Sequence, residues 1–370
     1  MDFTLTPAQE DLGALARQIL TDHCTQERLR EVEVGGTGFD PALWSDLATA
    51  GVLSAALPEE IGGVGLGLLE QCTVLAEIGR AVAPAPYLPS IALGAAAVAR
   101  FGTAGQRQQW AAPAARGELV ITAALAEEDG DDPALPATTA GASADGWVLT
   151  GAKTTVLGGT RAAVLLVPAA TVSGPAVFLV TPDDPGVTVT PQQVTGADGA
   201  AVVELAAVPV PSGRLLGEPG SQAARWLFDR AIVGLCALQL GVTERALELT
   251  AAYAQRRHQF GKPIGSFQAV AQRLADGYID VEGIRLTLWQ AAWRLENELP
   301  AATELATAKF WAADAGHRVA HTAVHVHGGV GIDLDGEVHR YFTAAKHNEF
   351  ALGGATAQLR RIGADLAAAG

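Results

Sequence analysis

The chain has 370 residues, of which 49% are apolar, and its mean hydropathy is +0.21. That is enough material for a large core and for two or three domains. The net charge of −15 and the pI of about 4.9 argue against nucleic acid as a partner, because phosphate backbones bind basic surfaces.

The cysteines and the first residues bear on the cellular compartment. Cys24, Cys72 and Cys236 have no C-x-x-C spacing, which indicates buried thiols in a reducing compartment rather than disulfides or a zinc site. The start, MDFTLTPAQEDL, lacks the basic and apolar regions of a signal sequence. Charges or helix breakers interrupt each apolar run before the roughly 18–20 residues that a membrane span needs. We therefore expect a cytoplasmic protein that has no membrane segment.

Residues 1–118 have the pattern of helices. Thr6 can cap a first helix that has proline at its first position, and Asp40 followed by proline can begin another. Further helices are predicted over residues 68–82 and 91–101. The glycine-rich segment 57–66 is expected to be a bend, because a phosphate loop needs a preceding strand and a following G-K-[ST].

Short β-branched runs separated by Gly, Pro and Asp follow in residues 119–218. Strands are predicted over residues 120–126, 146–151, 163–167, 176–180, 187–190 and 201–205. Their spacing favours a small antiparallel β-barrel or sandwich.

Helical periodicity returns from residue 219 and continues to residue 370. Helices are predicted over residues 225–255, 266–299 and 301–326, with one or two more over 338–368. Long helices with short connections suit an antiparallel four-helix bundle. The predicted order is an N-terminal helical domain (1–118), a middle β domain (119–218) and a C-terminal helical bundle (219–370).

The stretch 253–268, YAQRRHQFGKPIGSFQ, interrupts these helices with cations beside an aromatic ring. Arginine forks match phosphate geometry, and a phenyl ring can lie on a flat heterocycle. The stretch therefore suits an anionic, partly aromatic ligand. A solvated basic helix end is the alternative.

The motif in this stretch, R-x-x-F-G followed by K-P-I-x-x-F-Q, resembles that of the flavin-dependent acyl-CoA dehydrogenases. The resemblance runs from the first residues to the tail RRIG at residues 360–363. It is strongest to the short subunits of actinobacterial steroid side-chain acyl-CoA dehydrogenases. The stretches that carry it are QRLADGYIDVEGIRLTLWQAAWR, HTAVHVHGGVGIDLDGEVHRYF and ALGGATAQLRRIG.

The resemblance implies residues that clasp an FAD held mainly by a neighbouring subunit. On the arginine side these residues are Arg257, Gln259, Phe260 and Gln268. On the glycine side they are His325, in place of the usual glutamine, with Gly328 and Gly329. Glycines there would let backbone N–H groups approach a pyrophosphate.

The catalytic glutamate that the resemblance implies is missing. One of its usual positions corresponds to Leu352 and the other to Ala231, and neither side chain can accept a proton. Three substitutes are available: Asp229, Glu349 and His347. We expect none of them to act as the base.

The segments that would face this chain's own flavin also depart from the family pattern. Residues 127–132 read EEDGDD and lack the usual Ser or Thr, and their carboxylates would disfavour an anionic reduced flavin. Thr155 stands in place of a tryptophan, and Leu157 stands in place of a hydroxyl residue.

Three histidines recur every four residues: His317, His321 and His325. Helical spacing of this kind can bind zinc. No glutamate or cysteine stands at a fitting position in the sequence, and His325 already has a role implied by the resemblance. We therefore expect no metal site.

The resemblance implies a two-plus-two heterotetramer that oxidises the CoA thioester of a steroid side chain. This chain would supply part of the FAD site, and a companion acyl-CoA dehydrogenase subunit would supply the catalytic glutamate. An electron-transfer flavoprotein-like acceptor is implied. The alternatives are a self-sufficient homotetrameric dehydrogenase with a non-standard base, and a scaffold that has lost flavin.

Overall fold

The computed structural model describes residues 4–128, 130, 132, 135–196 and 199–369. Asp129 and Asp131 of the acidic segment therefore lie outside the described residues.

Two of the helices ahead of the sheet begin where the capping residues Thr6 and Asp40 predict. The helices of this region are α1 (Pro7–His23), α2 (Gln26–Gly35), α3 (Pro41–Thr49), α4 (Leu68–Ala81), α5 (Ala96–Phe101), α6 (Ala104–Gln106) and α7 (Ala112–Ala115), with π-helical turns at Leu88–Ala95 and Arg107–Ala111. Thr6 and Gln9 form a reciprocal capping box at the start of α1. Asp40 accepts hydrogen bonds from the amides of Ala42 and Leu43 at the start of α3. The glycine-rich segment 57–66 forms a short 3-10 helix (Glu59–Ile61) and an irregular loop, in agreement with the expected bend.

A mixed β-sheet follows. Its strands are β1 (Ile121–Ala123), β2 (Thr139–Ser143), β3 (Gly146–Val156), β4 (Val164–Thr171), β5 (Gly174–Val180), β6 (Val187–Pro191), β7 (Ala201–Pro211) and β8 (Leu215–Leu216). Their order is β6-β7-β3-β2-β4-β5-β8, with β1 paired to β4. The expectation of a purely antiparallel arrangement is wrong, because β1 and β2 both pair with β4 in parallel. Buried side chains of β3 to β7, including Leu149, Leu165 and Phe178, form the core of this region.

Strand β3 contains an irregularity that bears on the site. Its register on β7 shifts between Lys153 and Val156, and Thr155 within the shift has a φ of 51°. A β-branched residue in the left-handed region is uncommon, so the surrounding contacts must hold it there. Such bulges commonly re-aim side chains beside functional sites.

Long helices fill the last third of the chain: α8 (Ala223–Arg256), α9 (Gln268–Glu296), α10 (Ala302–His327), α11 (Val338–Phe350) and α12 (Ala355–Ala369). Helices α4 and α8 approach closely at two glycines. A Cβ at Gly79 would lie 2.1 Å from the carbonyl oxygen of Leu238, and one at Gly241 would lie 1.8 Å from that of Ala76. Glycine is required at both contacts, since no side chain fits.

Helix α8 is long and apolar enough to cross a membrane, contrary to the expectation that no segment is. In the protein, however, 78% of its most apolar window is buried. Burial of this extent is typical of a core helix.

The chain forms two compact units. The bundle unit comprises Met1–Leu29, Leu68–Ala83 and Ile232–Gly370, and the sheet unit comprises Arg30–Gly67 and Pro84–Ala231. The helices of the first 118 residues are thus divided between the two units.

Candidate flavin and substrate site

A short hairpin follows α8 and presents Phe260. Its strands, β9 (His258–Gln259) and β10 (Lys262–Pro263), pair antiparallel around Phe260 and Gly261. These two residues have φ values of 52° and 77°, as a tight type I′ turn requires. Glycine adopts this conformation readily, whereas phenylalanine does so at a cost. Phe260 is nonetheless 93% exposed, so burial does not offset that cost, and strain of this kind clusters at binding sites.

Arg257 has a fixed backbone and an exposed side chain. Its amide donates to the Tyr253 carbonyl and its carbonyl accepts from the Ile264 amide, both at 2.8 Å. Across the described residues, its guanidinium makes no intramolecular ion pair or side-chain hydrogen bond. The guanidinium is therefore available to an external anion.

The two glutamines of the predicted clasp are also exposed. The Gln259 side-chain amide donates to the His258 carbonyl at 2.8 Å, which leaves its oxygen as an acceptor. Gln268 is the first residue of α9. Both lie close in sequence to the hairpin turn.

A ring stack joins the end of α8 to the end of α10 within the bundle unit. The Tyr253 and His327 rings lie 4.3 Å apart at an interplanar angle of 26°. The His327 Nδ1 atom lies 2.8 Å from the Ala323 carbonyl oxygen, which orients the imidazole. The stack brings the arginine and glycine halves of the predicted clasp together. Sequence reasoning missed it, because 74 positions separate the two rings (327 − 253).

The loop after α10 needs glycine for its backbone. Gly328 has a φ of 66° and a ψ of −141°, which only glycine adopts readily. A Cβ at Gly328 or Gly329 would meet nothing within 4 Å, so this surface is open to a ligand. Gly331 differs, because its Cβ would lie 2.9 Å from the Val324 Cα atom.

The Gly328 amide donates to the Val324 carbonyl, so it is engaged within the helix cap. The expectation that glycine amides approach a pyrophosphate therefore does not hold for Gly328, and it stays a prediction for Gly329. His325, in the last turn of α10, is exposed. We define the clasp surface as Arg257, Gln259, Phe260, Gln268, His325, Gly328 and Gly329. It offers mainly side-chain hydrogen-bond donors, and the space beside its two glycines is open.

Neither position for the catalytic acid can exchange a proton. Ala231 is buried in α8. Leu352 lies in the loop after α11 with a φ of 54°. Its carbonyl accepts from Gln358 Nε2 at 3.3 Å and Arg361 Nη1 at 3.4 Å, which hold the loop in this conformation.

Each substitute base has a structural environment of its own. Asp229 accepts from Arg225 Nε at 2.8 Å, and burial raises the pKa of Asp229 to about 6 against the opposing charge of Arg225. Glu349 pairs with Lys346 at 2.6 Å and with His317 at 3.2 Å. Burial, with the charge of Lys309, lowers the pKa of His347 to about 4, so that ring is neutral at pH 7.

In the sheet unit, the polar groups of the segment that would face this chain's own flavin are hydrogen-bonded to one another. The Glu127 carboxylate accepts from Lys153 Nζ at 2.7 Å, the Ala137 amide at 2.5 Å, and the Thr138 amide and hydroxyl at 2.9 and 2.6 Å. Burial would raise the pKa of Glu127, but these hydrogen bonds lower it to about 2. The expected repulsion of a reduced flavin therefore does not apply to Glu127, because Lys153 balances its charge.

Gln192 occupies the donors at the bulge. Its Oε1 accepts from the Thr155 amide at 2.7 Å, and its Nε2 donates to the Thr154 hydroxyl at 3.0 Å. The Leu157 carbonyl accepts from the Thr122 hydroxyl at 2.6 Å. Sequence reasoning did not identify Gln192, which follows the distant strand β6.

The histidine series does not form a metal centre among the described residues. The His317 and His321 rings lie 4.2 Å apart, and His321 packs edge-on against Phe342. The sequence did not indicate the Glu349 carboxylate beside His317. Burial, followed by the charges of His317 and Lys346, lowers the pKa of His321.

Comparisons with known proteins agree with this architecture. The acyl-CoA dehydrogenase N-terminal, middle and C-terminal domains match residues 6–118, 122–207 and 218–367. Acyl-CoA dehydrogenase FadE27 of Mycobacterium tuberculosis is 52% identical, with 99% of each chain covered. A chain of the ChsE4-ChsE5 complex from the same organism superposes with a TM-score of 0.95 at 52% identity, again with 99% of each chain covered.

More distant structures share the whole fold. A chain of a Tcur3481-Tcur3483 steroid ACAD variant gives a TM-score of 0.93 at 44% identity, with 98% of each chain covered. Butyryl-CoA dehydrogenase from Megasphaera elsdenii gives 0.90 at 27% identity, covering 99% of this chain and 100% of that one. The chain belongs to the acyl-CoA dehydrogenase family, whose members are FAD-dependent oxidoreductases acting on CH–CH groups.

Proposed function

We propose that this chain is the partner subunit of a two-plus-two heterotetrameric acyl-CoA dehydrogenase. It clasps an FAD whose isoalloxazine pocket, together with the catalytic glutamate, belongs to a companion subunit. The enzyme introduces an α,β double bond into a steroid side-chain CoA thioester. An electron-transfer flavoprotein-like protein reoxidises it in the cytoplasm.

Two relatives support the heteromeric assembly and the substrate class. One similar structure is named as a complex of two ChsE proteins, and the other is named as a steroid ACAD of two differently named chains. Both similarities cover nearly the whole of this chain. A partner of the same family is thus the simplest companion.

The observation that carries the proposal is an asymmetry between the two halves of the chain's flavin machinery. The clasp surface is exposed, and its arginine has no intramolecular partner among the described residues. The donors of the bulge are instead occupied by Gln192, and both positions for the acid hold aliphatic side chains. A chain equipped to contact a cofactor, but not to enclose or use it, fits a partner subunit.

The clasp residues suit parts of FAD chemically. The Arg257 guanidinium can donate a charge-assisted pair of hydrogen bonds to the diphosphate. Phe260 offers a ring face or edge to a flat heterocycle. Gln259, Gln268 and His325 can satisfy polar edges, and Gly328 and Gly329 leave room beside them. When bound, FAD supplies the acceptor for the β hydride.

The test is to produce the chain together with its companion and to count FAD per tetramer. Two FAD per tetramer, one for each heterodimer, is the expected result. A companion whose glutamate is changed to glutamine should keep its FAD and lose turnover. Four FAD per tetramer, or turnover by this chain alone, would contradict the proposal.

A self-sufficient enzyme is the second candidate, and Asp229 is the observation that favours it. A carboxyl whose pKa is raised to about 6 is suited to general-base catalysis near neutral pH. The contact with Arg225, one helical turn earlier, argues instead for a structural ion pair. Mutation distinguishes the two roles.

We expect Asp229→Asn, Glu349→Gln and His347→Gln each to keep kcat of the assembled enzyme within about tenfold. Removal of a true general base costs roughly a hundred- to ten-thousandfold. Steady-state turnover per bound flavin is the measurement. A thousandfold loss in one variant that retains FAD would identify that residue as the base and favour the second candidate.

The exposed apolar side chains of the bundle unit predict how the isolated chain behaves. They include Tyr278, Ile279, Val330, Ile332, Leu334, Phe350, Leu359 and Leu366, each 54–71% exposed. We expect the chain produced alone to aggregate, and the co-produced complex to be monodisperse in size-exclusion chromatography with light scattering. A stable monomer of the lone chain would show that the complex is not obligate.

A further inference from the structure

The sheet unit contains a cavity of about 600 Å³ that the proposed function does not use. Its walls include Phe39, Trp44, Leu119, Val120 and Arg161. None of the clasp residues, and none of residues 127, 153, 155 and 192, lines it. Its volume is within the range of small-molecule sites, roughly 300–1,000 Å³.

The cavity carries a net positive charge, although the whole chain is acidic. Arg116 at its edge is balanced by Glu118, whose carboxylate it contacts at 2.6 and 2.9 Å. Arg161 has no ion-pair partner among the residues that the structure describes. Asp40 does not itself line the cavity, and its carboxylate accepts from the amides of Ala42 and Leu43 at the start of α3. One uncompensated guanidinium therefore remains at the cavity.

Aromatic groups lie beside that guanidinium. Arg161 Cζ lies 4.7 Å from the centre of the Phe39 ring, which restrains the arginine and leaves the edge of its fork free to donate. The Phe39 and Trp44 rings are 6.2 Å apart at 60°. The Trp44 Nε1 donates to the Gly117 carbonyl at 3.1 Å, and the largely buried indole forms part of the cavity wall.

We propose that this cavity binds a small organic acid with a flat aromatic ring system. The carboxylate would pair with the Arg161 fork, since a planar guanidinium matches a carboxylate in two parallel hydrogen bonds. The ring system would lie against the partly exposed Phe39 ring. A neutral analogue lacks the charge-assisted part of this recognition.

The test uses 2-naphthoate and its uncharged counterpart 2-naphthamide, titrated calorimetrically into the complex that contains the full chain. We expect one 2-naphthoate per copy of this chain, with a Kd of about 0.1–1 mM, as suits a ligand of this size. Arg161→Gln should weaken the binding of 2-naphthoate at least about tenfold. The unsubstituted protein should bind 2-naphthamide at least about tenfold more weakly than it binds 2-naphthoate. Phe39→Leu should weaken the binding of 2-naphthoate severalfold.

Arg100→Gln is the matched control, because Arg100 also lies over a phenyl ring in the sheet unit and does not line the cavity. Its affinity for 2-naphthoate should equal that of the unchanged protein. Equal binding of 2-naphthamide, unaltered binding by Arg161→Gln, or no saturable binding of 2-naphthoate would each overturn the proposal. Thermal melting of each variant checks that the sheet unit remains folded.

Discussion

Replacing Arg257 with alanine is expected to lower the affinity of the assembled enzyme for FAD about ten- to hundredfold. The expectation rests on the exposed guanidinium and on the worth of a hydrogen bond to a charged group, about 1.5–3 kcal/mol. Because the residue acts in binding, excess FAD should restore turnover with kcat per bound flavin unchanged. Arg257→Lys should recover part of the affinity, since lysine lacks the planar fork. An FAD titration of the complex, followed by flavin absorbance and turnover, measures both quantities.

The neighbouring Arg256 is the control for this experiment. It is exposed on the same helix end, and its Nε donates to the Ala252 carbonyl at 3.3 Å. Arg256→Ala should leave FAD affinity almost unchanged if the effect is local to Arg257 rather than a general loss of charge. Thr155→Val in the sheet unit should also change neither occupancy nor rate. Flavin loss in Thr155→Val with retention in Arg257→Ala would show that this chain holds its own cofactor.

Local features of the fold could be predicted because their physical causes are local. Thr6 and Asp40 fix helix starts through bonds to amides two or three residues away, and that spacing is visible in the sequence. Strand β2 was missed because its sequence, TAGAS, has no large apolar residue. Its pairing with β3 makes it a strand, and that contact is tertiary rather than local.

The candidate site likewise has features that the sequence could indicate and features that depend on tertiary contacts. The family resemblance implied the clasp residues, and the structure places these predicted residues on exposed ends of elements in one unit. The sequence could not indicate the Tyr253–His327 stack or the contact of Gln192 with the Thr155 amide, because both contacts join distant parts of the chain. The sequence also suggested that Glu127 adds repulsive charge. Only the fold shows that Lys153 neutralises it.

The clasp surface is exposed, whereas the segment that would face this chain's own flavin has backbone amides that are already hydrogen-bonded. These occupied amides explain the difference better than the missing family residues alone. Substitutions such as Thr155 for tryptophan remove a ring but leave backbone amides that could still bind a ligand. In this chain the Thr155 amide is already paired with Gln192, and the amides of Ala137 and Thr138 are paired with Glu127. A ligand would have to displace these bonds, and at the buried bond between the Thr138 amide and Glu127 an acceptor left unpaired would cost about 1–3 kcal/mol.

The ion pair of Glu127 and Lys153 gives the prediction with the largest effect on stability. The Lys153 side chain is fully buried and that of Glu127 is 8% exposed. Lys153→Met should lower the free energy of unfolding by about 3–5 kcal/mol, because it leaves a buried carboxylate without its cation. The double variant Lys153→Met/Glu127→Gln should recover part of that loss, since both charges are removed together. Urea denaturation followed by tryptophan fluorescence measures the difference, and Arg116→Met, at an exposed pair, should show little change.

The same pair predicts how stability depends on pH. The pKa of Glu127 is about 2 in the folded chain and 4.5 in its unperturbed state, so folding favours the ionised form. Its contribution is therefore present above about pH 4.5 and is lost as the pH falls towards 2. Glu127→Gln cannot ionise, so between pH 5 and 2 its stability should fall less steeply than that of the unchanged chain. Parallel pH profiles for the two proteins would mean that Glu127 is not held ionised, and that the closure of this segment rests on Gln192 alone.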